Sequence, residues 1–206
     1  MKASEFSLLL PDENDIRKVK NILARFSGEE SLDQENIFDH ITSASELFLL
    51  SSFMNAQKKS GIIENYIARK MGGELISPSL DRGDMIVTSD HGEVYYEMKT
   101  STTNDKQKLN ARQIRLWQDV DYYLCSYIDE KNLHNSRCYV LTKEQMEDEV
   151  VLIGGFTHGT RKSNVHNENQ FHSVTVNMAH NTKSKASIRW NNSYRRIDIE
   201  DLLFSD

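Results

Sequence analysis

Cysteine and proline are scarce in this chain, which has two of each among its 206 residues. Two cysteines, Cys125 and Cys138, cannot build a disulfide framework, so a reducing, cytoplasmic setting is expected. No stretch rich in proline, glycine and serine resembles a linker, and no internal repeat is visible. We therefore expect a single domain over residues 1–206, a length that can bury its own core.

Long apolar runs are also missing. The longest, such as Leu47–Leu50, are far too short to span a bilayer, and the N-terminus lacks the apolar region of a signal peptide. The Gly-x-x-x-x-Gly-Lys motif of ATPases and helicases does not occur. These absences argue against a membrane partner and favour a stand-alone protein.

Basic residues are in the minority overall, and the formal net charge is −6. Their distribution is uneven, because the segment Thr157–Arg196 has seven basic residues and a single acidic one, Glu168. A surface that binds a polyanion needs only local positive charge, since distant charges are screened by salt. Charge alone leaves two interpretations open, a nucleic-acid-binding segment and a solvated basic loop.

The apolar spacing predicts helices first and then strands. Helices are expected over Asp12–Phe26 and Ser31–Phe53, and a third helix capped by Ser60 should end at Gly72–Gly73. From there the period changes to two, which is typical of strands. The strands predicted in this region are Glu74–Ser77, Asp84–Ser89 and Glu93–Thr100, with a turn at Asp90–Gly92.

The second half of the chain is predicted to mix both kinds of element. Asn104 and Gln107 resemble a capping box that opens a helix reaching Val120. The further predictions are buried strands over Tyr122–Tyr127 and Arg137–Leu141, a short helix over Lys143–Glu149, alternating stretches at Phe171–Val176 and Ala186–Trp190, and a closing segment over Ile197–Leu203. This order indicates an α/β protein whose mixed sheet has helices on both sides.

The pattern with most chemical content lies in the predicted hairpin. Alternate side chains of a strand share a face, so Tyr95, Glu97 and Lys99 point one way while Tyr96 and its even-numbered neighbours point into a core. The turn at Asp90–Gly92 lies midway between Asp84 and Glu97 and should bring these carboxylates together at one sheet edge. An ordinary surface Glu/Lys pair is the bland alternative.

Two carboxylates at one sheet edge make a site for a hard cation. Mg²⁺ favours one or two carboxylates together with water and phosphate oxygens, and Mn²⁺ is expected to substitute. A bound metal neutralises charge on a phosphate, and a neighbouring lysine such as Lys99 can orient the attacking water or hold the phosphate. Asp84 and Glu97 are therefore predicted metal ligands, and all three residues are predicted to be catalytic in phosphodiester hydrolysis.

This arrangement resembles the PD-(D/E)XK nuclease superfamily, and within it the type II restriction endonucleases. Asp84 matches the first acid, Glu97 the second and Lys99 the lysine, while Gly83 stands where the family name has proline. The resemblance covers about residues 60–141. It implies a restriction-endonuclease-like fold, a mixed central sheet flanked by helices, in a bacterial or phage-encoded enzyme.

Two further residues are candidates for the same site. The resemblance implies that Glu64, on the third predicted helix, lies near the metal, although it could equally be an ordinary boundary glutamate. Gln113 is expected on the inward face of the following helix, where a buried amide needs a partner. Some members of the superfamily have Gln-x-x-x-Tyr there, and this chain has Trp117 in place of the tyrosine.

The polar segment, residues 155–196, is predicted to read DNA. It is rich in asparagine as well as lysine and arginine, the residue types that bond base edges and phosphates. The candidate DNA-binding residues are Arg161, Lys162, Asn164, Lys183, Lys185, Arg189, Arg195 and Arg196. A mobile surface excursion is the alternative.

The same segment has four of the seven histidines, which raises the question of a zinc site. They are His158, His166, His172 and His180. Their spacing fits no compact ligand pattern, and both cysteines fall in predicted strands. Zinc, and a histidine-based HNH-type nuclease, are therefore disfavoured.

The preferred interpretation is a type II restriction enzyme that cuts double-stranded DNA with Mg²⁺ as a homodimer, because two strands must be cut. Residues 1–59 would form N-terminal helices and residues 60–141 the catalytic core. One alternative is a repair or structure-specific nuclease with the same metal site. The other is a non-catalytic nucleic-acid-binding protein, which would have no reason to retain Asp84, Glu97 and Lys99 together.

Overall fold

The computed structural model describes residues 13–26, 46, 49, 56–77, 82–102, 107–129, 135–154, 171–179 and 182–197. Within these ranges, helix α1 spans Glu13–Phe26 and helix α2 spans Ala56–Lys70. The predicted first helix is confirmed. Glu46 and Leu49 are helical, but the rest of the helix predicted over Ser31–Phe53 lies outside the described residues.

Helix α2 places its apolar stripe as the sequence predicts. Ile62, Ile63 and Ile67 are buried, and the helix ends before Gly72, which adopts a positive φ of 69°. The start was wrong, because Ser60 lies inside the helix and does not cap it. The helix already runs through residues 56–60, so Ser60 has no free helix end to cap.

In the part of the chain that the structure describes, the main sheet has six strands in the order β1-β2-β3-β5-β6-β8. Its strands are β1 Glu74–Leu75, β2 Met85–Ser89, β3 Gly92–Thr102, β5 Tyr122–Ile128, β6 Arg137–Thr142 and β8 Arg195–Ile197. Only the pairing of β3 with β5 is parallel, and all other neighbours are antiparallel. The predicted hairpin and the two predicted buried strands are thus confirmed.

Between β3 and β5, the chain forms a strand that belongs to a second sheet, which has two strands in the described residues. Strand β4, Lys108–Ile114, pairs antiparallel with β7, His172–Asn177. The prediction of a helix reaching Val120 was wrong, and its proposed cap residue Asn104 lies outside the described residues. Leu109, Ala111 and Ile114 pack inward from β4, so pairing with a distant strand outweighs the local helical spacing.

Two helices complete the described structure. Helix α3, Lys143–Ile153, begins with the Thr142/Gln145 capping box and extends beyond the predicted Glu149 end. Helix α4 spans Lys185–Ser193 with Ser184 as its N-cap. The alternating stretch at Ala186–Trp190 is therefore helical, and Ser187 and Trp190 are buried on one face of the helix.

The largest part of the core lies between the two sheets and helices α3 and α4. It contains tyrosines of β5 and β6, apolar residues of β4 and β7, Met146 and Val150 of α3, and Trp190 of α4. The architecture is a mixed α/β domain with a mainly antiparallel sheet flanked by helices. None of the helices in the described residues is long and apolar enough to cross a bilayer.

Candidate active site

The hairpin of β2 and β3 places Asp84 beside the middle of β3. Met85 pairs with Tyr96 across the hairpin, so Asp84 comes just before the first paired residue of β2. Its main-chain N–H donates to the carbonyl of Tyr96 at 2.8 Å, and its Oδ2 accepts from the main-chain N–H of Met98 at 2.9 Å. These two hydrogen bonds, one through the main chain and one through the carboxylate, thus hold Asp84 against the strand that contains Glu97 and Lys99.

Gly83 makes this position of Asp84 possible. Its φ is +83°, which is open to glycine and closed to proline. A Cβ built on Gly83 would lie 2.6 Å from the carbonyl oxygen of Tyr96 and 2.9 Å from Cγ1 of Val120. The glycine is therefore required by close packing of the loop on β3, and the departure from the proline of the family name has a structural reason.

Lys99 links the two carboxylates. Its Nζ donates to Oε1 of Glu97 and lies 3.9 Å from Oδ2 of Asp84. The three residues predicted from the sequence are thus brought together.

Burial distinguishes these groups. Glu97 is only 2% exposed, and its Oε2 is buried without a hydrogen-bond partner, whereas the Asp84 side chain is 35% exposed. The expectation of an open sheet edge was wrong in this respect, since β3 is an interior strand between β2 and β5. The site is reached from the Asp84 side.

The electrostatics of the site disfavour two bare carboxylates. Burial raises the pKa of Glu97, the charge of Lys99 lowers it, and the charge of Asp84 raises it again, with a net upward shift. A group that brings positive charge to Oε2 of Glu97 would therefore relieve both desolvation and repulsion.

Glu64 of α2 belongs to the same electrostatic cluster. Burial raises its pKa from the usual 4.5 to about 7, and the charges of Asp84 and Glu97 add to the shift, while Thr100 and Lys99 oppose it. The structure therefore places Glu64 close enough to the site to sense its charges, as the resemblance implied. A boundary glutamate with no relation to the site would not show these couplings.

Gln113 lies elsewhere. It is exposed, adopts a positive φ of 56°, and sits at a register irregularity of β4 between Ala111 and Ile114. Its predicted position on the inward face of a helix was wrong, and the catalytic role expected of it loses its structural basis.

The donor set fits a divalent cation. Mg²⁺ uses one or two carboxylates and completes its shell with water and substrate oxygens. Within the described residues, no group of three or more His, Cys, Asp or Glu side chains is arranged to hold a metal ion. Asp84 and Glu97 alone, with the unpartnered Oε2 of Glu97, match the smaller requirement.

The predicted DNA-binding residues are only partly described. Arg161, Lys162 and Asn164 lie outside the described residues, as do the side chains of Arg195 and Arg196, whose backbone forms β8. Of the four histidines, only His172 is within the described ranges, and it is buried. Lys183 and Lys185 are exposed at the start of α4, where they remain candidates for phosphate contacts.

Arg189 makes an ion pair that the sequence did not predict. Its guanidinium forms a two-pronged ion pair with Glu149 of α3, a residue with no exposed surface, and the Tyr194 hydroxyl donates to the same carboxylate. Burial would raise the pKa of Glu149, but these hydrogen bonds outweigh it and hold the pKa below its usual value. Arg189 therefore ties α4 to α3, and its contact with DNA stays a prediction.

Sequence reasoning missed a group of side chains around the segment 115–118. Trp117 and Phe171 are exposed aromatic residues in edge contact, and the Arg115 guanidinium lies over the Phe171 ring. Trp117 lies in the stretch that was predicted as a helix, and its exposure had no signal in the local spacing. Pairing of β4 with β7 is what brings Phe171 to it.

No protein-family model matches the chain, and no curated protein is significantly similar to it.

Proposed function

We propose that the chain is a divalent-metal-dependent DNA nuclease whose active site is Asp84, Glu97 and Lys99. The observation that carries the proposal is the unpartnered, buried Oε2 of Glu97 beside Asp84 and Lys99. An unsatisfied buried polar atom costs about 1–3 kcal/mol of folding free energy. A binding-only protein gains nothing from that cost, whereas a metal-dependent enzyme uses the free oxygen as a ligand.

Each residue has a distinct part in hydrolysis. Asp84 and Glu97 would hold Mg²⁺, which when bound supplies charge neutralisation at the phosphate and a more acidic water. Lys99 donates one N–H to Glu97 and has further N–H groups, which can bind the scissile phosphate or orient the attacking water. Glu64, with its raised pKa, can accept a proton near neutral pH.

Sequence-specific cleavage of double-stranded DNA by a homodimer, as in type II restriction enzymes, is the preferred form of this activity. It is supported by the basic, asparagine-rich segment and by the match of Asp84, Glu97 and Lys99 to the superfamily motif. A repair or structure-specific nuclease is the second candidate, favoured by the exposed Trp117 and Phe171.

The test is cleavage of phage DNA with purified protein in Mg²⁺, Mn²⁺, Ca²⁺ and EDTA. We expect cutting with Mg²⁺ or Mn²⁺, binding with little cutting in Ca²⁺, and none in EDTA, since Ca²⁺ takes more ligands at longer distances. Discrete bands would support sequence-specific cleavage and a smear the second candidate.

The matched variants are Glu97→Gln and, as a control, Glu147→Gln on the exposed side of α3. Glu97→Gln keeps the shape of a side chain that is almost fully buried, so it should remove cutting while the fold persists. Full cutting by Glu97→Gln, or by the wild type in excess EDTA, would overturn the proposal.

A further inference from the structure

An aromatic patch with a basic border lies on the surface near the end of β4. Trp117 is 38% exposed and Phe171 is 40% exposed, and their ring centroids are 5.6 Å apart at an interplanar angle of 68°. The Arg115 guanidinium lies 5.4 Å from the centroid of the Phe171 ring. Large aromatic rings in this state leave apolar area in water that a ligand could cover.

The backbone next to the patch is irregular. The β4–β7 register shifts between Ala111 and Ile114, and Gln113 adopts a positive φ of 56°, which non-glycine residues rarely do. The irregularity leaves Arg112 and Gln113 exposed together. Bulges of this kind re-aim side chains and are over-represented beside active sites. Arg112 and Gln113 directly precede Ile114, which pairs with His172, the residue after Phe171.

One side chain connects the patch to the catalytic residues. Tyr123 lies directly opposite Glu97 in the β3–β5 pairing, and its hydroxyl donates to the main-chain carbonyl of Arg115 at 3.0 Å. Paired strands are about 4.8 Å apart. The main chain of Arg115 is therefore one buried tyrosine side chain and one strand spacing away from Glu97.

We propose that Trp117, Phe171 and Arg115 stack an unpaired nucleobase of the DNA bound at the Asp84, Glu97 and Lys99 site. The inference rests on the second candidate of the proposed nuclease function, the repair or structure-specific nuclease, and names its substrate class, DNA with unpaired nucleotides close to the cut. Every base has a π-face, so aromatic rings bind unpaired bases without regard to sequence, and arginine adds charge for the backbone. The charge of Arg115 at the patch suits a polyanion, and the exposed Arg112 lies three residues before it in the chain.

Tryptophan fluorescence in Ca²⁺ tests the contact without cleavage. The chain has two tryptophans, and Trp190 has no exposed surface, so quenching by acrylamide reports mainly on Trp117. We expect a single-stranded thymidine 12-mer to quench the emission and to protect Trp117 from acrylamide. A blunt hairpin duplex of matched charge should do so much less.

Variants make the test specific. Trp117→Ala and Phe171→Ala should each weaken binding of the 12-mer about tenfold, and Trp117→Phe should retain most of the affinity. Leu152→Ala, which removes a more exposed apolar side chain from α3, should leave binding unchanged. Equal binding of the 12-mer by wild type and both alanine variants would overturn the proposal.

The outcomes separate this inference from the nuclease proposal. Mg²⁺-dependent cutting that depends on Asp84, without any change in Trp117 emission, overturns the stacking site alone. Quenching by the 12-mer without cutting in Mg²⁺ or Mn²⁺ supports the stacking site and overturns the nuclease. If Trp117→Ala changes the oligomeric state and leaves the affinity for the 12-mer intact, the patch is a protein interface and the inference is wrong.

Discussion

Oδ2 of Asp84 accepts a hydrogen bond from the main-chain N–H of Met98 at 2.9 Å, across the hairpin that joins β2 to β3. Met98 lies between Glu97 and Lys99, so one backbone hydrogen bond sets the first acid at the level of the other two residues. The carboxylate of Asp84 is thereby held by the strand that contains Glu97 and Lys99.

Gly83 should be intolerant of any side chain. We expect Gly83→Ala to lower the free energy of unfolding by roughly 2 kcal/mol or more, because its φ is positive and the added Cβ would meet the Tyr96 carbonyl at 2.6 Å. Gly83→Pro, which restores the residue of the family name, should be worse. Urea denaturation measures both, with Gly92→Ala as a control whose Cβ meets nothing within 4 Å. A stable, active Gly83→Pro variant would contradict the structure.

Lys99 should set the pH dependence of cleavage through Glu97. Its charge lowers the pKa of a carboxyl group that burial and Asp84 raise, so Lys99→Met should raise that pKa further. The carboxylate form is needed to bind the metal, and the acidic limb of the rate profile should therefore move to higher pH, with a loss of rate on the order of 10²-fold or more. Rates between pH 5.5 and 9 test this, and Lys99→Arg should shift the limb less. An unchanged limb in Lys99→Met would show that Glu97 does not control the profile.

Glu64 should cost stability at neutral pH in the metal-free protein. Its pKa is about 7 in the folded protein and 4.5 ordinarily, so the folded state binds more protons between these values. Stability from this group is therefore greatest at low pH and falls as the pH rises from 4.5 to 7. We expect Glu64→Gln to stabilise the protein at pH 8 by on the order of 1–3 kcal/mol and to have little effect at pH 4.5. Urea denaturation in EDTA, with Glu147→Gln as control, decides it; equal stability of Glu64→Gln and wild type at pH 8 would count against the burial of this carboxylate.

Arg189 should matter for folding. Removing it leaves the carboxylate of Glu149 fully buried without its charged partner, and breaking a buried pair in this way costs about 3–5 kcal/mol. We expect Arg189→Ala to lower the free energy of unfolding strongly, whereas Lys185→Ala on the same helix should not. A stable Arg189→Ala variant with weakened DNA binding would contradict this and support the predicted contact with DNA.

Lys183 and Lys185 should act through charge alone. Each exposed lysine that contacts a phosphate contributes about one to the slope of log affinity against log salt. We expect Lys183→Ala or Lys185→Ala to weaken binding of all DNA sequences in Ca²⁺ and to lower this slope by about 1. Binding curves at two salt concentrations measure it. No change in either variant would remove α4 from the DNA interface.

The sequence predicted the hairpin of β2 and β3 because everything that builds it is local. Its features all lie within residues 84–99. They are the alternation of Tyr95 to Lys99, the turn at Asp90–Gly92 and the placement of Asp84. What alternation could not show was that the face bearing Glu97 is covered. That cover comes from β4, β7 and the helices that pack on Tyr123 and its neighbours, all of them distant in sequence.

The errors fall where distant pairing decides the local structure. Leu109, Leu116 and Val120 have helical spacing, yet β7 converts the first of them into a strand residue. In α4 the reverse holds, since alternation at Ala186–Trp190 disguises a helix that begins at the Ser184 cap. The ion pair of Arg189 was not predicted because its partner Glu149 is 40 residues away. None of these partners can be identified from residue spacing.

The pairing of β4 with β7 has a consequence for the newly made chain. Asn110 and Thr175, which are bonded across these strands, are 65 residues apart. Ribosomes add about 5–20 residues per second, so β4 waits roughly 3–13 s for its partner. During that interval its apolar residues and its unpaired strand edge are open to other nascent chains. Slower translation, or a lack of chaperones during expression, should therefore lower the yield of this protein through aggregation. The properties of the molecules that do fold should not change.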